Sequence, residues 1–212
     1  MTLLETVVVV LVLLTLTAIL LPPLMNQPNH RHYSDCTNNL KQIGLAARIW
    51  AGDNNDKYPM AVSVTNGGAM EAVALGDAMT VFQVMSNELS TPKILVCSED
   101  KQRDSATNFN PLTSGNVSYF VNRDAVQAEP WGVMSGDDNF EIAGVPVKSG
   151  RLNVSTNSPL TWSAARHKSS GNLTLADGSV QSAYNSQLKN WFWPTNDGLS
   201  PTNFTTIRLA IP

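Results

Sequence analysis

The sequence is poor in charged residues. They make up 15% of the 212 residues, against roughly 25% in an average soluble protein. The formal net charge is −3, whereas binding to nucleic-acid phosphates requires clustered lysine and arginine. The composition therefore gives no reason to expect nucleic acid as a partner, and the length predicts one domain or a domain with an appendage.

Basic residues are missing from the N-terminal part of the chain. No lysine or arginine precedes Arg31, and no small-residue cleavage site follows Leu21. A secretory signal peptide begins with basic residues and ends in such a site. We therefore expect the N-terminal segment to be retained rather than cleaved off as a signal peptide.

The N-terminus carries instead a long apolar run. From Met1 to Met25 the only charged side chain is Glu5, and Val7 to Leu21 is apolar apart from two threonines. A membrane-spanning helix needs ~20 mostly apolar residues, so the length permits insertion. Glu5 has two interpretations: it reaches the membrane surface, or it pairs with a cation when such helices pack together.

The segment Met-Thr-Leu-Leu-Glu-Thr at residues 1–6, followed by the run from Val7 to Leu21, resembles the mature N-terminus of type IV pilins and type II secretion pseudopilins. In those families a prepilin peptidase removes a short basic leader, the new first residue is N-methylated, and glutamate stands fifth. The resemblance implies that Met1 is the processed N-terminus and that Glu5 acts in assembly. The alternative that Met1 is an initiator methionine stays open.

A second resemblance covers the chain from Met1 to about Val180. Cys36 to Ala46 and Asp53 to Pro59 are similar to a bacterial pseudopilin-like group with a C-terminal H-x9-D-G pattern, which His167 and Asp177-Gly178 match in spacing. Further landmarks are Val96 to Asp100, Ser118-Tyr119 with Asn122, and Gly136-Asp137. The pattern identifies a group without disclosing a chemistry.

Apolar residues recur every three or four positions between Tyr33 and Trp50, which predicts an amphipathic helix. Together with the apolar run this predicts a long helical region from about Thr2 to Ala51. Pro22, Pro23 and Pro28 remove backbone donors, so we expect a break at Pro22-Pro23 and an irregular stretch from about Leu21 to His32.

The remainder predicts an α+β head with a pilin-like fold, in which a small antiparallel sheet packs on the amphipathic half of the long kinked helix. A second helix is expected over Glu71 to Leu89, and Asn108 to Asn116 and Asn153 to Pro159 are expected to be loops. The expected strands are Ile94 to Cys97, Val117 to Val121, Leu160 to Ser163, Leu173 to Ala176 and Val180 to Ala183. The domain boundaries are then 1–25 for the hydrophobic helix, 26–59 for the kinked linker and amphipathic helix, and 60–212 for the head.

The candidate chemical groups all have structural explanations. His167 and Asp177 suggest an acid–base pair, but no nucleophile stands in a recognisable context, and a hairpin turn at Asp177-Gly178 with His167 hydrogen-bonded across it explains both. His30 and His32 have no third metal ligand nearby. Gly136 to Asn139 offers oxygen ligands for calcium, although a turn explains the same residues. We therefore assign no catalytic residue and no cofactor.

The two cysteines permit one disulfide. Cys36 lies on the core-facing stripe and Cys97 ends an expected strand, which favours a Cys36–Cys97 bond over two buried free thiols. This bond would hold the amphipathic helix to the head.

Three classes of function follow from these observations. The first is a structural subunit, a major pilin or pseudopilin, that leaves an inner-membrane pool and polymerises with copies of itself into an extracellular helical filament. The second is a low-copy pseudopilin that pushes secreted substrates, and the third is a membrane-tethered enzyme, which lacks a recognisable active site. An electron-conducting filament is disfavoured because no aromatic residue precedes Tyr33.

Overall fold

The N-terminal part of the chain forms two helices. In this computed structural model, which describes residues 3–25, 28–193 and 206–212, helix α1 covers Leu3–Met25 and helix α2 covers Pro28–Asp53. The amphipathic pattern predicted α2 correctly, because its apolar stripe lies in the protein core. Thr2, the expected first helical residue, lies outside the described residues. Within the described ranges, no helix combines the length and the apolar character needed to cross a membrane.

Helix α1 does not end where the prolines predicted. Helix α1 continues through Pro22 and Pro23 to Met25, so the helix break predicted at these two prolines is wrong. A proline inside a helix removes one backbone hydrogen bond and bends the axis, but the helix can continue beyond it. Pro28 instead begins α2, at a position where the missing N–H of proline costs little. The two residues between α1 and α2 lie outside the described part.

The helix predicted over Glu71 to Leu89 is three short helices, α3 (Met70–Ala74), α4 (Met79–Val84) and α5 (Ser86–Leu89). Gly76 interrupts the helix with a φ of 97°, a conformation that favours glycine. Asp77 lies just before the next helix, and its Oδ1 accepts hydrogen bonds from the backbone N–H groups of Met79 and Thr80 at the helix start.

The described part of the chain also contains four 3₁₀ helices: Pro59–Ala61, Val64–Asn66, Pro92–Leu95 and Ser114–Asn116. The strand predicted over Ile94 to Cys97 is therefore wrong. Thr91 and Pro92 start a helical turn there instead, because the Thr91 hydroxyl accepts a hydrogen bond from the backbone N–H of Lys93.

Nine strands within the described residues form two antiparallel sheets. The large sheet has the strand order β5-β9-β1-β2-β7-β8, and the small sheet has the order β4-β3-β6. The strands are β1 (Tyr119–Asn122), β2 (Val133–Asp137), β3 (Phe140–Ile142), β4 (Val145–Pro146), β5 (Gly150–Ser155), β6 (Leu160–Trp162), β7 (Ser170–Leu175), β8 (Val180–Tyr184) and β9 (Thr206–Ile211). The loop predicted from Asn153 is wrong in its first part, because β5 continues to Ser155.

The large sheet is covered on both faces. Helix α2 and the short helices pack on one face, around Leu40 and Tyr119. The small sheet and helix α6 (Asn185–Phe192) pack on the other face, around Phe120 and Trp162. Tyr119 and Phe120 are neighbours in β1 and face opposite sides, as successive strand residues do. The structure is therefore α+β, with an N-terminal helical region and antiparallel sheets.

Asp177 and Gly178 form the predicted turn between β7 and β8. Gly178 has a φ of 83°, and Asp177 Oδ1 accepts a hydrogen bond from the backbone N–H of Ser179 at 2.8 Å. This turn contacts α2, because Arg48 Nη1 donates to the Asp177 carbonyl oxygen at 2.6 Å. A Cβ on Gly44 of α2 would lie only 3.1 Å from the Gly178 Cα. The hairpin therefore packs closely against the helix.

Candidate functional site

Helix α1 exposes apolar side chains on all sides. Every residue from Val7 to Leu14 is a large aliphatic residue, with an exposed fraction between 49% at Val12 and 64% at Leu14. This stretch covers more than two helical turns, so the head covers no side of it. Glu5 lies in the first turn of the helix, and Met1 lies outside the described residues. A helix that is apolar all round is stable only in an apolar environment.

A disulfide joins Cys36 of α2 to Cys97, as the sequence predicted. Both cysteines are fully buried. The bond links residues 61 positions apart, a loop for which the chain-entropy model gives a stabilisation of about 4 kcal/mol. It fastens α2 to the segment that follows the Pro92–Leu95 turn.

His167 lies beside this disulfide in a left-handed turn. His167, Lys168 and Ser169 have φ values of 52°, 53° and 63°, and a left-handed conformation costs an ordinary residue about 1–2 kcal/mol. The Glu99 carboxylate holds the turn by accepting the backbone N–H of His167 at 2.9 Å. The ring Nε2 of His167 lies 3.2 Å from Cys97 Sγ and 3.5 Å from Asp137 Oδ2. The turn therefore directs the imidazole toward the disulfide.

The carboxylates around His167 raise its pKa. Burial alone disfavours the charged imidazolium, but the hydrogen bond to Asp137 and the negative charges of Asp137 and Glu99 outweigh this effect. The pKa of His167 therefore lies above its ordinary value of about 6.5.

Two arginines and two aspartates form an ion-pair network next to the histidine. Arg103 lies 3.1 Å from Asp100 and 2.6 Å from Asp138. Arg166 lies 3.2 Å from Asp100 and also pairs with Asp138. Two guanidinium groups thus face two carboxylates, which balances the charge in a largely buried location. Burial disfavours the charged form of Asp100, but Arg166, the Gln102 N–H, Ser118 and Arg103 together lower its pKa.

The carboxylate of Asp137 is also next to the histidine, and Asp137 is fully buried. Its Oδ2 accepts hydrogen bonds from the backbone N–H and the side-chain Nδ2 of Asn172, at 2.7 and 3.0 Å. Its Oδ1 has no hydrogen-bond partner in the described part of the chain. Asp138 faces the two arginines, and Asn139 directs its Nδ2 toward backbone carbonyls. The calcium alternative for residues 136–139 therefore stays an expectation from the sequence.

His167 and Asp177 lie at opposite ends of strand β7. His167 stands in the turn before Ser170, and Asp177 follows Leu175. At about 3.3 Å per residue, the six-residue strand separates them by roughly 20 Å. The hydrogen bond predicted between His167 and the hairpin is therefore wrong, and the two residues do not form an acid–base pair. The side chains of His30 and His32 lie outside the described part.

Several residues of the sequence motifs meet in one cluster. The cluster contains residues that are far apart in the chain and adjacent in the fold: Cys36, Cys97 to Asp100, Asp137 and His167. Ser118 joins them, because its hydroxyl donates to Asp100 Oδ2 at 2.8 Å. Sequence reasoning missed Arg103 and Arg166, since no spacing rule identifies an arginine that neutralises a buried acid. This cluster connects α2, β2 and the turn before β7.

Comparisons of the chain with protein-family models, with curated proteins and with solved structures found no match. The resemblance to pilins and pseudopilins therefore stays a prediction from the sequence motifs.

Proposed function

We propose that this chain is a structural subunit, a pilin or pseudopilin, that polymerises through α1 into an extracellular helical filament. The observation that carries the proposal is the exposure of aliphatic side chains on every side of α1. A helix with one apolar stripe is satisfied by packing on its own head, whereas a helix that is apolar all round must be surrounded. Copies of the same helix, bundled side by side, provide that surrounding.

Glu5 supplies the specific contact in this bundle. Aliphatic helices slide along one another with little penalty, so a charged pair is needed to fix their axial register. Glu5 lies in the first turn of α1, and the processed amine of Met1 in a neighbouring subunit is its proposed partner. The inner-membrane pool and the prepilin peptidase implied by the resemblance belong to the same proposal.

The head is attached firmly enough to α2 to be carried by such a bundle. The Cys36–Cys97 disulfide fastens the early part of α2, and the hydrogen bond from Arg48 to the Asp177 carbonyl fastens its later part. The bundled helices would therefore carry the heads on the outside of the filament.

Two valines of equal exposure test the proposal. Val9 of α1 and Val64 of the head are each 50% exposed. A Val9→Glu chain is expected to give no filaments, because a bundled helix has no water to solvate the added charge. Val64→Glu is expected to give the wild-type yield. The measurement is the amount of filament sheared from cells that produce each variant, with the disulfide of the cell-bound chain checked by non-reducing electrophoresis.

The comparison separates assembly from folding. Intact disulfide in both variants with filaments only from Val64→Glu supports the proposal. Normal filament yield from Val9→Glu would overturn it, since α1 would then not lie in the apolar core of the polymer.

A further inference from the structure

The two sulfur atoms of the disulfide and the neighbouring His167 form a group of three potential metal ligands. The sulfur atoms of Cys36 and Cys97 and a ring nitrogen of His167 lie within 4.8 Å of one another, and all three residues are buried. The His167 ring nitrogen Nε2 lies 3.2 Å from Cys97 Sγ. Two thiolates and one imidazole are a ligand combination that zinc proteins use.

The Asp137 carboxylate lies next to this group. Its Oδ2 lies 3.5 Å from His167 Nε2, and its fully buried Oδ1 has no hydrogen-bond partner in the described part of the chain. A buried acceptor without a partner is costly. The two cysteines and His167 fill three positions of a tetrahedral zinc site, and a carboxylate oxygen of the adjacent Asp137 can fill the fourth.

Glu99 lies on the other side of the His167 ring. Its Oε2 lies 3.5 Å from His167 Nδ1, the ring nitrogen that does not face the sulfur. Metal-binding histidines commonly have their second nitrogen held by a carboxylate, which fixes the ring orientation and makes the ligating nitrogen more basic. The left-handed turn and Glu99 thus place the imidazole as a zinc ligand requires.

We infer that reduction of the disulfide converts this cluster into a site for one zinc ion, bound by the two cysteines, His167 and Asp137. A phosphine reductant and one water convert the disulfide into two thiols and yield the phosphine oxide. Zinc then displaces both thiol protons, and any proton on Nε2, to solvent. The two sulfur atoms separate to the about 3.8 Å that tetrahedral zinc imposes. The disulfide joins α2 to the head under oxidising conditions, and the zinc ion joins them under reducing conditions.

Cobalt titration of the full chain tests this inference. The chain, purified in a mild detergent, is reduced with a phosphine under argon and titrated with Co²⁺, a coloured substitute for Zn²⁺. We expect one Co²⁺ per chain, with thiolate-to-cobalt charge-transfer absorption in the near ultraviolet and tetrahedral bands in the visible range. Zn²⁺ should displace the cobalt and abolish both signals. The oxidised chain should show neither signal.

Variants assign the ligands. Cys36→Ser and Cys97→Ser should each lose charge-transfer intensity, and Asp137→Asn should weaken Co²⁺ binding. Asp35→Asn is the matched control, because Asp35 is an exposed acid next to Cys36, and it should bind like the wild type. Glu99→Gln should keep the spectrum but bind about 10–100-fold more weakly.

Several results would overturn the inference. They are a reduced wild-type chain that binds no Co²⁺, bound Co²⁺ without the sulfur charge-transfer band, or equal weakening by Asp35→Asn and Asp137→Asn. Circular dichroism covers the case in which reduction unfolds the head. In that case Co²⁺ must restore the folded signal together with the absorption bands, and failure to do so would also overturn it.

Discussion

At the scale of single residues, Glu5 is the only charged residue of helix α1. An uncompensated carboxylate in an apolar surrounding costs about 2.5–3.5 kcal/mol or more. In the proposed filament, a neighbouring cation would offset this cost. The proposed partner is the charged amine of Met1 in the next subunit.

Replacement of Glu5 should reduce assembly of the subunit without reducing the amount of subunit produced. We expect Glu5→Gln to reduce filament yield, because it loses the charge but keeps some hydrogen bonding, and Glu5→Ala to reduce it further. The total amount of each variant in cells and its disulfide should match the wild type. The measurement is sheared filament divided by total subunit. Wild-type yield from Glu5→Ala would remove the proposed role.

Asp100 should make the stability of the head depend on acid pH. Its pKa in the folded protein is lowered, so its contribution is fully present above the unfolded value of about 3.9 and is lost as pH falls through the folded value. Asp100→Asn should therefore destabilise the chain near neutral pH, and the difference from wild type should shrink below about pH 3.

Urea unfolding of both chains, followed by near-ultraviolet circular dichroism at the two pH values, measures this effect. Asp35→Asn on the exposed side of α2 is the control and should leave the unfolding free energy unchanged at both. A constant gap between wild type and Asp100→Asn across the pH range would show that the charge of Asp100 contributes nothing.

Residue patterns predicted part of the buried cluster. The periodic stripe placed Cys36 in the core, and the Cys36–Cys97 bond is present. The partners of His167 could not be predicted, because they depend on a left-handed turn of three residues without glycine. Such a turn has no local sequence signal, since long-range contacts to Glu99 and Asn139 hold it.

At the scale of secondary-structure elements, the close approach of α2 to the β7–β8 hairpin depends on Gly44. A Cβ there would lie 2.8 Å from Thr174 Cγ2 and 3.1 Å from the Gly178 Cα. Gly44→Ala should therefore destabilise the chain by about 1–3 kcal/mol through overpacking. A Cβ on Gly52, in the same helix, would meet no atom within 4 Å, so Gly52→Ala should be neutral or stabilising by up to about 1 kcal/mol.

Thermal and urea unfolding of the two glycine variants measures the difference. Because both replacements gain the same helix propensity, their difference reports the contact with the hairpin. Equal stability of the two variants would mean that α2 and the hairpin are not in close contact.

Secondary-structure elements with a strong local sequence signal were predicted, and elements without such a signal were missed. The amphipathic period identified α2, and Asp177-Gly178 identified the β7–β8 hairpin. Strands β3 and β4 are only three and two residues long, too short for a period-two pattern. The predicted helix over Glu71 to Leu89 contained Gly76, whose positive φ ends one helix before the next begins.

At the scale of the whole molecule, the head and helix α1 differ in how their apolar side chains are kept from water. The head buries its own apolar residues on both faces of the large sheet. Helix α1 exposes aliphatic side chains from Val7 to Leu14, so its stable environment must come from outside the head. The proposed polymerisation through α1 would satisfy this requirement without a change in the fold of the head.

Cryo-electron microscopy of filaments sheared from cells that produce this chain tests that claim most directly. The account predicts filaments of this chain alone, with α1 helices bundled around the axis and the heads outside. Each Glu5 carboxylate should lie within about 4 Å of the Met1 amine of a neighbouring subunit. A filament whose axis is built by the heads, with α1 facing solvent, would contradict the account, as would surface filaments that do not contain this chain.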